Sequence, residues 1–250
     1  GFNDPLPVQY VRFLKGALVG DFGTSYYYNE PAMSVVLERA PATLTLACAA
    51  LLISVVLGIP AGIVAAVKRN SVSDAVIRVL ALLGQCMPAF WLGIMLIMLF
   101  AVKLGWMPTG GAEDGLRSLI LPAFTLGVFS AATICRLLRS NLIEVLGKEY
   151  IDVAKAKGLP KSKIIGKHAL KNAMSSIITI LGMQFASLLG GSVITEQVFA
   201  WPGVGRLVIQ SITTSDFAVV ECIVFLMAVI FVVINFIVDV LYCVINPRVR

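Results

Sequence analysis

Residues 41–67 run for 27 positions without a charged side chain. A helix of that length exceeds the ~20 residues needed to cross ~30 Å of hydrocarbon, so this stretch commits the chain to a bilayer. Four more apolar runs follow. Segments 79–102 and 172–195 are free of charge for 24 residues each, and 118–135 for 18. In 217–245, Glu221 and Asp239 leave 17 uncharged residues between them. Each run is read as a span, the third short and the fifth with polar ends. In lipid, backbone N–H and C=O groups must find partners inside the segment, so the spans are helical. Prolines and glycines within them are tolerated for packing, and Gly58-x-x-x-Gly62 reads as close approach within the chain. With 58% hydrophobic residues, 14% charged and a mean hydropathy of +0.91, a soluble domain of 250 residues is excluded.

The 20 basic residues are unevenly distributed. With the Lys68/Arg69 turn placed inside, 14 fall on one side: Lys68, Arg69, Arg78, Arg136, Arg139, the seven lysines of 148–172, Arg248 and Arg250. Arg12, Lys15, Arg39, Lys103, Arg117 and Arg206 fall on the other. The positive-inside bias therefore places 148–172 and the C-terminus in the cytoplasm, and 1–40, 103–117 and 196–216 outside. The net charge of +6 reflects this bias and not a nucleic-acid surface, since the basic residues lie between apolar runs. Five spans put Gly1 outside, from which a sixth span upstream is expected. Segment 1–40 is read as extracytoplasmic, with Tyr26, Tyr27 and Tyr28 at headgroup level in a surface loop; a tyrosine-lined ligand platform is the second reading.

The long polar interruption, 148–172 (KEYIDVAKAKGLPKSKIIGKHALKN), reads as helix, stop, helix. Tyr150, Val153 and Ala154 share a face of a short amphipathic helix. Gly158 suits a left-handed position after its end, and Pro160 suits the first turn of a helix that continues through Ile164 and His168 into the fourth span. The triplet Asp152-Val153-Ala154, followed after three residues by Gly158, is similar to the Glu-Ala-Ala loop of ATP-binding-cassette (ABC) importer permeases. HALKNA (168–173) resembles the peptide and nickel branch, with His168 and Lys171 where the wider superfamily has isoleucine and proline. PATLTLA (41–47), MPAFWLG (87–93), TEQVFAWPGVGRL (195–207) and NPRVR (246–250) extend the likeness along the chain. The sequence resembles a B-type subunit of the dipeptide/oligopeptide/nickel importer permeases.

That resemblance implies an all-α polytopic protein with the type I ABC importer transmembrane fold, five spans being visible here and the family's first span absent. It implies a permease domain over 41–250 with a cytoplasmic coupling loop at 141–172. The chain would form half of a path for short peptides, nickel or related solutes in the bacterial or archaeal cytoplasmic membrane. Implied partners are a homologous permease subunit, two cytosolic ATP-binding subunits, an extracytoplasmic binding protein and membrane lipid. Tyr150, Asp152, Val153, Ala154, Gly158 and Leu159 would meet an ATPase subunit. Phe199, Trp201, Pro202 and Gly203 would form an external gate, the plainer reading of Trp201 being an anchor at the interface.

His168 is the only histidine, and H-E-x-x-H, G-x-S-x-G and the phosphate-cradling G-x-x-x-x-G-K-[ST] are all missing. No catalytic or metal set is therefore expected, and ATP with its Mg²⁺ would reside on the partner subunits. The five cysteines lie in apolar runs without C-x-x-C spacing and read as packing residues. Asn235, Asp239 and Tyr242 share one helical face. Asp239 is either a proton or cation site or a span-end charge paired with Arg136 or Arg139. Gln184, mid-span, either lines a path or bonds a neighbouring helix. The alternative function is an ion-coupled secondary transporter, which would place ionisable residues and broken helices near the midplane; Glu221 and Asp239 lie near span ends.

Overall fold

A computed structural model of the chain describes the backbone of residues 3–245, and their side chains apart from positions 175, 176, 239 and 241–245. The described residues form helices α1 (Leu6–Leu18), α2 (Ala32–Val67), α3 (Val72–Cys86), α4 (Ala89–Leu96), α5 (Leu116–Leu146), α6 (Glu149–Ala156), α7 (Lys161–Lys163), α8 (Leu170–Gly191), α9 (Val193–Val198), α10 (Val204–Thr213) and α11 (Phe217–Ile245). No β-strand occurs among them. Within α2, α5 and α11 are stretches long and apolar enough to span a bilayer. Two bent pairs bring the crossings to five if each pair is one span. In the first, α3 meets α4 and its π-helical continuation Ile97–Lys103 at 103°. In the second, Lys161–Met174, which takes in α7, the π-helical turn Ile164–Ala169 and the start of α8, meets Ile177–Gly190 of the same helix at 51°.

The run 79–102, read as a span, is broken at Pro88. Pro88 has no N–H to donate and disfavours helical geometry at the residue before it, so Met87 is extended (φ −73°, ψ 128°) and the chain turns. The third span gains from the structure: 118–135 is part of a 31-residue helix that carries Arg136 and Arg139 along with it.

α5 is the central post. Two-thirds of its apolar window (67%) is buried, against 33% for α2 and 17% for α11. α2 packs along it through small residues. A Cβ on Gly58 would lie 2.8 Å from the Ala131 carbonyl oxygen, and one on Gly62 would lie 2.9 Å from that of Cys135. The G-x-x-x-G thus serves packing within the chain. Three apolar clusters stack along this axis. With the two ends labelled inner and outer as the distribution of basic residues leads one to expect, the inner cluster holds Leu138, Leu142, Ile151 and Ile177, the middle one Leu46, Ala50, Leu188 and Trp201, and the outer one Val36, Val204, Leu207 and Val219.

The N-terminal segment is more structured than a surface loop. Phe13 of α1 and Phe22 meet Phe225 of α11 with ring centroids 5.4–6.2 Å apart. Asp216, just before α11, accepts hydrogen bonds from the Ser25 hydroxyl (2.5 Å) and the Tyr27 N–H (3.3 Å). Of the cysteines with described side chains, Cys135 and Cys222 are buried while Cys48 and Cys86 are exposed, so only the first two pack in the interior.

Candidate functional site

The break between α3 and α4 opens a cavity of about 410 Å³. Gln85, Met87 and Pro88 line it at the break, Thr125, Phe129 and Ser130 of α5 face them, and Gln184 and Ser187 of α8 complete the wall. The Gln85 amide donates to the Thr133 hydroxyl at 3.3 Å. Gln184 makes no hydrogen bond to another described residue and lines the cavity. Asn235 points elsewhere, since its Nδ2 donates to the Phe231 carbonyl one turn back on α11 (2.8 Å). The side chains of Asp239 and Tyr242 lie outside the described residues. Arg139, a candidate partner for Asp239, is engaged by Asp74: its Nε and NH2 donate to the two carboxylate oxygens at 2.7 and 2.8 Å. Asp74 also accepts from the Asn70 N–H (3.0 Å), and its own N–H donates to Ser71 Oγ (3.3 Å), so the pair clamps the start of α3 to α5.

At the outer end, α9 and α10 enclose the turn Phe199–Gly203. Here the anchor reading of Trp201 is corrected. Phe199 (2% exposed) and Trp201 (5%) are buried, and the indole N–H donates to the Ala42 carbonyl at 2.9 Å. Ala200 between them takes a left-handed backbone (φ +49°), uncommon for a residue with a Cβ. Glu196, which no motif argument singled out, holds the turn together. It is fully buried, and its carboxylate accepts from Thr43 Oγ1 (2.9 Å), Ser192 Oγ (2.8 Å) and the Arg206 N–H (3.0 Å). Thr43 in turn accepts from the Val204 N–H (2.8 Å), so two of the four otherwise unpaired donors at the start of α10 are satisfied. Gly203 is extended (φ −99°, ψ −179°), which any residue can adopt. Glycine stands there because a Cβ would run into Glu196 Oε2 and Thr43 Oγ1. Pro202 and Gly203 lie in this turn, which the Glu196 carboxylate ties to α2 and to the start of α10. Nearby, burial disfavours the Asp216 charge. The Ser25 hydroxyl and the N–H groups of Tyr27, Tyr26 and Val219 outweigh it, leaving the carboxyl below the ordinary aspartate value.

At the inner end, α6 forms where the sequence places it. Glu149 and Asp152 in its first turn and Lys155 in its last complement the helix dipole. Gly158 is left-handed (φ +73°). Its N–H donates to Lys155 O (2.9 Å) and the Leu159 N–H to Ala154 O (3.3 Å), the paired bonds of a Schellman stop. No atom lies within 4 Å of a Cβ added to Gly158, so backbone conformation alone selects glycine. Pro160 is the residue just before α7 and not its first turn. The expected face of Tyr150, Val153 and Ala154 is divided. Ala154 turns inward with the fully buried Ile151 against Leu138 and Leu142 of α5, and Leu159 packs on the same cluster. Tyr150, Asp152 and Val153 look outward; Asp152 pairs with Lys155 (2.7 Å) and the Tyr150 hydroxyl accepts from Asn172 Nδ2 (3.0 Å). The terminal motif 246–250 lies outside the described residues.

Apolar helices long enough to span a bilayer, some of them broken, with a cavity between them, define a polytopic membrane protein. Comparison with known proteins agrees. The family model "Binding-protein-dependent transport system inner membrane component" matches residues 58–250. The glutathione transport system permease protein GsiC of Salmonella paratyphi A is 42% identical over 250 residues, covering all of this chain and 81% of the relative. Its counterpart in Escherichia coli K12 is 41% identical over the same extent. Among solved structures, the inward-facing MetNI methionine ABC transporter superposes with a TM-score of 0.73 at 19% identity, covering 86% of this chain and 97% of that one. An amino acid ABC transporter with histidines superposes with a TM-score of 0.67 at 17% identity, covering 84% and 93%. The chain belongs to the binding-protein-dependent transport system inner membrane component family, and within it to the ABC importer permeases of the peptide and nickel branch.

Proposed function

We propose that the chain forms half of the transmembrane path of a bacterial importer for short peptides of the glutathione class. The observation that carries this reading is the 41–42% identity with permeases named for glutathione transport, which runs along all 250 residues. The domain runs over 41–250 with 1–40 outside, and 141–172 is the coupling loop. The partners are a homologous permease, an extracytoplasmic binding protein and two cytosolic ATPase subunits, which hold ATP and Mg²⁺ and do the hydrolysis. Substrate passes the Phe199–Gly203 turn, crosses by way of the cavity at the α3–α4 break and leaves inward. Gln85, Thr125, Ser130, Gln184 and Ser187 offer it hydrogen bonds, and without charge they hold no peptide tightly. Tyr150, Asp152 and Val153 meet an ATPase subunit, while Ala154, Gly158 and Leu159 set the angle at which they are presented.

The test is reconstitution in proteoliposomes with labelled glutathione. The complete complex with loaded binding protein and ATP takes up substrate, and the two permease subunits alone do not. Uptake by the permease pair, or uptake driven by a proton gradient, would move the protein to the secondary transporters.

A further inference from the structure

A second concave site, of about 360 Å³, borders the outer turn. Pro202 and Gly203 form part of its lining, with Tyr27 and Tyr28 from the loop before α2, Arg39 of α2, and Arg206 and Gln210 of α10. Two guanidinium groups line this site and no acidic side chain does. Arg39 has no hydrogen bond or ion pair to another described residue. Arg206 gives one N–H to the Ala200 carbonyl (2.8 Å) and keeps its remaining donors. The walls are held in place independently of any ligand. The Arg206 backbone is tied to Glu196, the Tyr27 N–H to Asp216 and the Tyr28 N–H to Ser25 Oγ (2.9 Å). The tyrosine rings meet edge to face, 5.0 Å apart. Only six of the 20 basic residues fall on the outer side, and the positive-inside bias offers no reason for two of those six to share a pocket. Two arginines in one preorganised wall are suited to a carboxylate, and the volume suits a ligand the size of a di- or tripeptide.

We propose that this pocket is an entry subsite, which takes a carboxylate of the peptide as it leaves the binding protein and before the outer turn opens. Arg39 and Arg206 hold the carboxylate; Gln210 and the two tyrosines supply uncharged donors and acceptors for the peptide's amides. The proposal rests on the peptide-importer reading above and deepens it, since it makes the preferred substrates small peptides with a free, negatively charged carboxylate.

The experiment uses the full complex in nanodiscs and follows phenylglyoxal modification of individual arginines by mass spectrometry. Millimolar glutathione slows modification of Arg39 and Arg206 by at least about fivefold, as occupation of both guanidinium groups requires, and leaves Arg12 unchanged. Glutathione diethyl ester, with both carboxylates blocked, slows it less than about twofold because it offers no anionic acceptor. Equal protection by acid and ester, or none by either, overturns the proposal. So does protection that follows the anionic lipid content of the nanodisc, or that appears with unloaded binding protein alone; these outcomes would assign the arginines to a headgroup phosphate or to a docking carboxylate. Arg39→Gln supplies the second measurement: it raises the KM for glutathione uptake about tenfold with kcat retained, the loss of one charge-assisted contact. An unchanged KM counts against the subsite. Protection without ATP-driven uptake would sink the importer reading and leave the pocket standing, whereas uptake without protection would do the reverse.

Discussion

The outer turn after α9 and the inner loop after α6, proposed above as the coupling loop, are built alike, each a short helix, a turn containing glycine and a second helix, yet they are held in opposite ways. At the inner end the fastening is apolar. Ile151, Ala154 and Leu159 sit on α5, and the polar residues Tyr150, Asp152 and most of the lysines face outward. At the outer end the fastening is polar and hidden, with Glu196, Thr43 and Ser192 all at most 1% exposed and bonded to one another and to the start of α10. A loop fastened by apolar contacts keeps its polar surface free for a partner. A loop fastened by a buried carboxylate is an internal lock, in which loss of one group leaves its donors without acceptors.

The contrast can be broken from either side, and the largest effect lies outside. Glu196→Ala strands the Thr43 and Ser192 hydroxyls and the Arg206 N–H, and costs about 3 kcal/mol or more. Thermal unfolding of the purified complex in detergent reads this as a marked fall in Tm; an unchanged Tm would mean that the buried carboxylate is not the fastening. Gly158→Val costs about 1 to 3 kcal/mol, all of it backbone strain, because the added side chain meets nothing. Gly158→Ala is milder.

Asp216 sharpens the comparison through pH. Its folded pKa is below the ordinary aspartate value, so its contribution to stability is fully present above that ordinary value and is lost as pH falls through the folded one. Asp216→Asn therefore flattens the acid limb of the stability profile while changing little at neutral pH, where an amide oxygen still accepts one bond. An acid limb as steep as that of the unmodified protein would exclude Asp216 as its source. The smallest effect is at the inner surface. Asp152→Asn removes an exposed pair with Lys155, worth at most about 1 kcal/mol, and Tm stays within a degree or so. A larger fall would show that α6 depends on that pair.

The inner loop was legible in the sequence because its signals are local. Acidic residues at the start of α6, a lysine at its end, Gly158 at the left-handed position and Pro160 behind it all act within one or two turns. What escaped was which residue anchors the helix, since Ile151 and Tyr150 are adjacent and only contact with Leu138 and Leu142 decides between them. The outer lock was not legible. Thr43 and Glu196 are 153 positions apart, and a glutamate in a polar stretch gives no sign of full burial. One clue was present, an acidic residue seven and nine positions before two glycines at the start of a helix. Pro88 marked the α3–α4 break, but prolines within spans are also tolerated without one, as Pro60 of α2 and Pro122 of α5 are.

The central claim is that the inner loop transmits ATPase motion to the spans, and substrate-stimulated ATP hydrolysis by the reconstituted complex carrying Gly158→Val tests it most directly. The account predicts normal amounts of the variant in the membrane, weakened association with the ATPase subunits and loss of the stimulation by loaded binding protein. Gly158→Ala should be milder, and Lys161→Gln should match the unmodified protein. Stimulation and transport at unmodified rates in Gly158→Val, with the ATPase subunits bound as tightly as before, would contradict it.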